Sequence, residues 1–341
     1  MNSKYPKSNL FIRSFLIISF LLISSCQIIR KPENLSITPI ENGSELSTDS
    51  KNILLLFSKN IDDNSLIYIT DLAEEQTDSF TIHMEVEDIS LSPDGQYIVF
   101  SSVEWHNYDL VTKLFLYDRN FDTVHNLLDW SFDKTEYFIN TPSFATHENQ
   151  IVFHTTWKNA DFSSLMFVNP ENGEVKTILR ENNLLIGPQV SPDGKKIITL
   201  CGGLDKLKNL PGFMICIMDT DGRNKHTLTQ QGGSHGSFLF TPDSKKVVYT
   251  EVEALRLIEH LRRPYRRVYS IDINGKNRRK IIDFEGVIKA ISPDGQDIIL
   301  EGRPNENYPY SIYIVDINGK NLRHLTYFDE FLADWYPEEE E

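Results

Sequence analysis

Apolar residues along this chain come in short runs, and the runs recur. Tyr97-Ile98-Val99-Phe100, Ile151-Val152-Phe153, Ile197-Ile198-Thr199-Leu200, Val247-Val248-Tyr249 and Ile298-Ile299-Leu300 form one set. Met214–Met218, Val268-Tyr269-Ser270-Ile271 and Ile312-Tyr313-Ile314-Val315 form a second. The runs are rich in β-branched and aromatic residues and are bounded by Gly, Pro, Asp and Asn, which predicts strands. Consecutive rather than alternating apolar positions predict sheets buried on both faces. The pattern is all-β.

The segments between the runs repeat as well. Ser92-Pro93-Asp94-Gly95, Ser191-Pro192-Asp193-Gly194, Thr241-Pro242-Asp243-Ser244 and Ser292-Pro293-Asp294-Gly295 each precede a run of the first set. A degenerate copy begins at Ala145. The copies start at 92, 145, 191, 241 and 292, so the period is 46 to 53 residues. Pro fixes φ at the first central position, Asp bonds back to nearby backbone, and Gly takes a positive φ freely. A second turn follows the second set: Asp219-Thr220-Asp221-Gly222, Asp272-Ile273-Asn274-Gly275 and Asp316-Ile317-Asn318-Gly319. Their Asp-Gly and Asn-Gly pairs are hairpin turns.

A period near fifty with four strands per unit is that of a propeller blade. Over residues 52–337 these units resemble the TolB-like, WD-related propeller repeats. The resemblance implies a six-bladed β-propeller of four-stranded antiparallel blades. Asp334-Trp335-Tyr336-Pro337 looks like the start of a sixth unit whose other strands are missing there. Ile53–Phe57, Leu66–Asp71 and Thr77–His83 supply them. The last blade is therefore expected to join one C-terminal strand to three N-terminal ones, which removes exposed sheet edges.

The N-terminus sets the compartment. Residues 1–25 carry Lys4, Lys7 and Arg13, no acid, and an apolar run from Ser14 to Ile23. Such a run is shorter than the roughly 20 residues a membrane span needs, and the layout is that of a secretory signal. Leu22-Ile23-Ser24-Ser25-Cys26 resembles the lipobox of bacterial lipoproteins. The resemblance implies lipid on the Cys26 thiol and cleavage before it. With Gln27 next, it implies the outer membrane in a cell that has two membranes, and otherwise the outer leaflet of the cell membrane. Residues 26–50 are expected to be a flexible tether, residues 51–337 the propeller, and residues 338–341 an acidic tail.

Charge then narrows the partners. The chain has 34 basic and 49 acidic residues, a net of −15, and losing the signal makes the body more acidic still. That excludes broad affinity for nucleic acid, which needs basic surface. Cys201 and Cys216 fall on neighbouring strands of one hairpin. Two buried free thiols are the expectation, with a disulfide chemically open in an exported protein. No Cys/His cluster of a zinc site is present, and no metal or cofactor is expected.

The loops opposite the Ser-Pro-Asp-Gly turns are longer and chemically richer, so a ligand is expected there. Its candidate residues are Trp105, His106, Trp157, His235, Arg262, Arg263, Arg266 and Arg303. Ala254–Arg267 is locally basic within an acidic protein and could dock a carboxylate, a phosphate or an acidic peptide. Leu255, Ile258 and Leu261 could share one side of a short helix there. Gly232-Gly233-Ser234-His235-Gly236 has the G-x-S-x-G form of a nucleophile elbow, but it lies between blades without the strand-to-helix turn or partners that an elbow needs. Asp219-x-Asp221-Gly222 is similar to a calcium loop, with its Gly too early for an EF-hand. His106, His154, His235 and Glu251 could assemble a catalytic centre from several blades. The expectation is a membrane-anchored, non-enzymatic scaffold for an envelope protein or peptide. A carbohydrate-active propeller enzyme, lyase or glycosidase, is the alternative.

Overall fold

The computed structural model describes residues 38–39, 54–61, 64–72, 76–106, 109–128, 137–145, 150–157, 162–205, 210–230, 234–252, 266–305 and 307–325. Every regular element among them is a strand. After the short β1 (Thr38–Pro39) come β2 (Leu54–Ile61), β3 (Asn64–Asp71) and β4 (Gln76–Ile82), which form a three-stranded sheet. Four-stranded antiparallel blades follow in chain order. Blade one holds β5 (Val86–Leu91), β6 (Tyr97–His106), β7 (Asp109–Asp118) and β8 (Thr123–Asn126). Blade two holds β9 (Tyr137–Ala145), β10 (Gln150–Trp157), β11 (Ser163–Val168) and β12 (Val175–Glu181). Blade three holds β13 (Leu184–Val190), β14 (Lys196–Asp205), β15 (Leu210–Asp219) and β16 (His226–Thr227). Blade four holds β17 (Ser234–Phe240), β18 (Lys246–Val252), β19 (Arg266–Asp272) and β20 (Arg279–Asp283). Blade five holds β21 (Glu285–Ile291), β22 (Asp297–Arg303), β23 (Ser311–Asp316) and β24 (Arg323–Leu325). The expected all-β, six-bladed propeller is the fold.

The three-stranded sheet is the sixth blade, built from the N-terminal strands as the repeat predicts. Residues 334–337, its expected inner strand, lie outside the described residues. Ring closure is visible all the same, because the Lys289 ammonium of blade five lies 4.8 Å from the centre of the Phe57 ring of blade six. Lys289 also pairs with Glu301 at 2.7 Å, and the two side chains are 3% and 6% exposed. Within the segment expected as a tether, Thr38 and Pro39 pair with His324 and Arg323 on the outer edge of blade five.

Consecutive apolar residues do serve two faces. Val99 packs towards blade two with Ile139, Phe144 and Phe153. Its neighbour Phe100 packs towards blade six with Leu56, Ile67 and Ile69. Ile197 and Ile198 split in the same way between blades two and four, and Val247 and Val248 between blades three and five. Each such side chain contributes roughly 1.5–3 kcal/mol by burial, so the interfaces between blades are the core. Burial falls towards the rim: all four residues of β8 are exposed.

The repeated turns share one geometry. In the first copy, Tyr97 N–H donates to Ser92 Oγ at 2.8 Å and Ser92 Oγ donates to Asp94 Oδ1 at 2.6 Å. Gly95 N–H closes the turn on Ser92 O at 2.9 Å. The copies at Ser191, Thr241 and Ser292 repeat these bonds. The fourth residue takes a positive φ even where it is Ser244, at 60°. Asp219-x-Asp221-Gly222 is likewise a turn: Asp219 holds Asn224 Nδ2 at 2.6 Å and Lys196 Nζ at 2.5 Å.

One expectation is corrected. Cys201 and Cys216 form a disulfide, with Cα atoms 5.8 Å apart. In the β14–β15 register Cys201 faces Met214 and Cys216 faces Thr199, so the cysteines are diagonal neighbours on one face. That spacing is within disulfide range, and a loop of this size contributes about 3 kcal/mol in the chain-entropy model. Hairpin spacing alone does not disclose the register.

Candidate functional site at the channel and its mouth

The first strand of each described four-stranded blade is innermost, and each carries an irregularity. Pairing shifts register at Val86/Ile89 in β5, at Ile186/Gln189 in β13, at His235/Phe238 in β17 and at Ile288/Ala290 in β21. In β9 the shift falls opposite Val152/His154. Bulges free backbone groups from the ladder and re-aim side chains. Here neighbouring blades capture the freed groups. Ser65 Oγ accepts Val86 N–H at 2.8 Å, Thr112 Oγ1 accepts Ile139 N–H at 2.6 Å, and Ser163 Oγ accepts Leu185 N–H at 2.8 Å. A second tier joins the inner strands directly. Thr141 N–H donates to Asp88 Oδ2 at 2.9 Å, Gly187 N–H to Thr141 Oγ1 at 3.1 Å, and Ile288 N–H to Ser237 Oγ at 2.7 Å.

Thr141 is the hub of this belt. Its φ is +48°, in the left-handed region that a β-branched residue rarely enters. Its hydroxyl lies 2.6 Å from His154 Nδ1, and both residues are only 2% exposed. Oγ1 also accepts from Gly187 N–H, so one hydroxyl serves the imidazole and the next blade together. Burial pushes the His154 pKa down to about 3, so the ring is neutral at physiological pH. The carboxyls beside it shift the other way. Burial raises Asp88 to about 6 despite the Thr141 N–H. Burial first, then the charges of Asp88 and Glu85, raise Glu87 to about 7. Two adjacent carboxyls near the channel thus titrate close to neutrality, which is where acid–base groups are tuned.

The mouth lies at the end opposite the Ser-Pro-Asp-Gly turns. Strand direction places Trp105 and His106 there at the end of β6, and Trp157 at the end of β10. It also places there His235 near the start of β17, Arg266 at the start of β19 and Arg303 at the end of β22. These expected site residues therefore share one face by strand position. Arg262, Arg263 and the expected helix around Leu255, Ile258 and Leu261 lie outside the described residues, as does Cys26. Ser234 and Gly236 sit within strand β17, so the G-x-S-x-G segment forms no strand-to-helix elbow. Glu251 is engaged structurally: Arg278 Nη2 donates to both of its carboxylate oxygens at 3.0 Å and Nε to Tyr249 Oη at 2.8 Å.

Where blades four and five meet at the mouth, Arg303 Nε donates to Glu285 Oε2 at 2.9 Å. Arg266 Nη1 reaches Gly286 O at 3.4 Å. Gly286 and Gly302 pair across the strands without side chains. A Cβ on Gly286 would lie 2.1 Å from Glu301 O and 2.7 Å from the Phe284 ring. Among the described residues no three His, Cys, Asp or Glu side chains are grouped to hold a metal ion. Sequence reading missed Glu87, Asp88, Thr141 and Glu285. The one available signal is that belt partners stand about one repeat apart, 53 residues for Asp88 and Thr141 and 46 for Thr141 and Gly187.

No protein-family model and no curated protein matches the chain. Among solved structures it is similar to TolB from Acinetobacter baumannii, with a TM-score of 0.57 and 17% identity, covering 76% of this chain. The chain spans 59% of that TolB's length. It is also similar to oligogalacturonate lyase from Vibrio parahaemolyticus, with a TM-score of 0.56 and 15% identity, covering 90% of this chain and 79% of the lyase. At these identities the likeness establishes a TolB-like propeller fold, one that TolB shares with a lyase.

Proposed function

We propose that the chain is an exported protein, anchored to the cell envelope by lipid on Cys26. Its loop-rich propeller face then binds a protein, peptide or small ligand without catalysis. One observation carries the non-catalytic reading. The inner histidine and one inner carboxyl are already engaged in tying blades together, His154 with Thr141 and Asp88 with Thr141 N–H. A histidine held neutral in a structural bond is poorly suited to proton transfer. The Cys201–Cys216 disulfide supports export, since such bonds persist in oxidising compartments. Lipid incorporation into the wild-type protein and its loss in Cys26→Ser is the expected result for the anchor. Equal labelling of both would refute it. Proteins and glycans that co-purify with the lipidated form would identify the partner.

A second reading, a carbohydrate-active lyase, is favoured by Glu87. Its pKa near 7 suits a general acid or base, and the fold is shared with a lyase. Oligogalacturonate incubated with the protein separates the readings. The scaffold reading predicts no cleavage, whereas cleavage by the wild type that Glu87→Gln abolishes would replace it.

A further inference from the structure

Arg266 is an unusual cation. A guanidinium carries five N–H donors, yet its single hydrogen bond among the described residues is the 3.4 Å approach to Gly286 O. That is longer than a good N–H···O bond. No carboxylate forms an ion pair with it within the described residues, and desolvation pulls its pKa down. Beside it, Arg303 uses only Nε among the described residues, on Glu285 Oε2 at 2.9 Å. Glu285 is left with the opposite deficit: its Oε1 is buried and accepts no hydrogen bond there. The trio carries two cations against one anion. The three side chains are part-buried, Arg303 and Glu285 at 23% and 16% exposed, and partly desolvated charges are costly unless partnered.

We propose that Arg266, Arg303 and Glu285 bind a small carboxylate that bears a hydrogen-bond donor on the adjacent carbon. The ligand carboxylate bridges the two guanidinium groups, and its hydroxyl, ammonium or amide N–H donates to the Glu285 carboxylate, whose side chain is 16% exposed. The ligand carboxylate offsets the excess positive charge and the neighbouring donor serves the Glu285 carboxylate, which a simple carboxylate or a bare amine cannot both do. This rests on the reading of the mouth as the binding face and names the ligand chemistry there.

An isosteric series tests it on the full chain by titration calorimetry. L-lactate, L-alanine and N-acetyl-L-alanine carry both features, whereas propionate lacks the donor and lactamide lacks the charge. At least one of the first three should bind about tenfold tighter than propionate and lactamide. Which of the three binds tells a hydroxy acid, a free amino acid or a peptide C-terminus apart. Arg266→Gln and Arg303→Gln should each weaken that binding about tenfold or more. Glu285→Gln should abolish the preference over propionate. Wild-type melting behaviour of either arginine variant keeps the test interpretable if the other misfolds. No saturable binding in the millimolar range would overturn the proposal, as would equal binding of propionate or unchanged affinity in both arginine variants. If the acids fail to bind while partner capture still depends on the mouth, the ligand assignment falls and the scaffold reading stands.

Discussion

At the scale of single residues, the consequential ones are those that tie blades together at the channel. Thr141 holds a backbone conformation that costs of order 1–3 kcal/mol, and its three hydrogen bonds reach blades one, two and three. Thr141→Val keeps the shape and removes the hydroxyl, leaving Gly187 N–H and His154 Nδ1 unpaired. Chemical denaturation should show a loss of about 1–3 kcal/mol per stranded group. The adjacent carboxyls add a pH dependence of defined sign. Asp88 and Glu87 have folded pKa values of about 6 and about 7, raised from 3.8 and 4.5. The folded protein therefore keeps protons that the unfolded chain has released. This contribution to stability is complete below about pH 4 and is lost as pH rises through 6 and then 7. Melting temperature should fall between about pH 4 and pH 7. The double variant Glu87→Gln, Asp88→Asn should flatten that slope; parallel curves would deny these shifts.

At the scale of elements, the chain is legible where chemistry repeats. The Ser-Pro-Asp-Gly turn could be read from residue types because each member does one distinct thing. Ser supplies a hydroxyl that both donates and accepts, Pro a fixed φ, Asp a carboxylate acceptor and Gly a positive φ. Strands β6, β14, β18 and β22 were legible for a different reason, their paired apolar faces. The inner strands were harder. Tyr137–Ala145 shows neither clean alternation nor an apolar run, because a bulge breaks its period and it packs against strands of both neighbouring blades. Glu285 was missed because its partner, Arg303, is set by strand register. The Asp-x-Asn-Gly turns show that the same motif carries different weight from blade to blade. Gly275 and Gly319 have φ near +80°, but a Cβ on Gly275 meets nothing within 4 Å, whereas one on Gly319 meets Ile281 O of the preceding blade at 2.0 Å. Gly275→Ala should cost about 1 kcal/mol from backbone strain. Gly319→Ala should cost clearly more, because the clash adds to the same strain. Equal shifts in melting temperature would contradict that packing.

At the scale of the whole molecule, the propeller is a ring of hydrophobic interfaces whose sixth blade carries the N-terminal strands and meets blade five. Four of its turn copies and the three N-terminal strands were visible in the chain. The closure contact of Lys289 with Phe57 was not, since it joins residues 232 positions apart. Deleting residues 328–337 removes the expected inner strand of blade six and should lower the melting temperature of the entire domain. An unchanged value would refute that closure. The ring also fixes what each face can do. Turns with satisfied internal hydrogen bonds occupy one end. The other holds the arginines, the orphaned carboxylate oxygen and the strand ends bearing Trp105, His106 and Trp157. The central claim, that the protein works by binding through that second face, can be measured in the cell with a photo-crosslinking residue at position 105 or at position 245. Lys245 belongs to a Ser-Pro-Asp-Gly-type turn on the opposite face. The account predicts a crosslink to an envelope component from position 105 and none from position 245; crosslinks from position 245 alone, or equally from both, would contradict it.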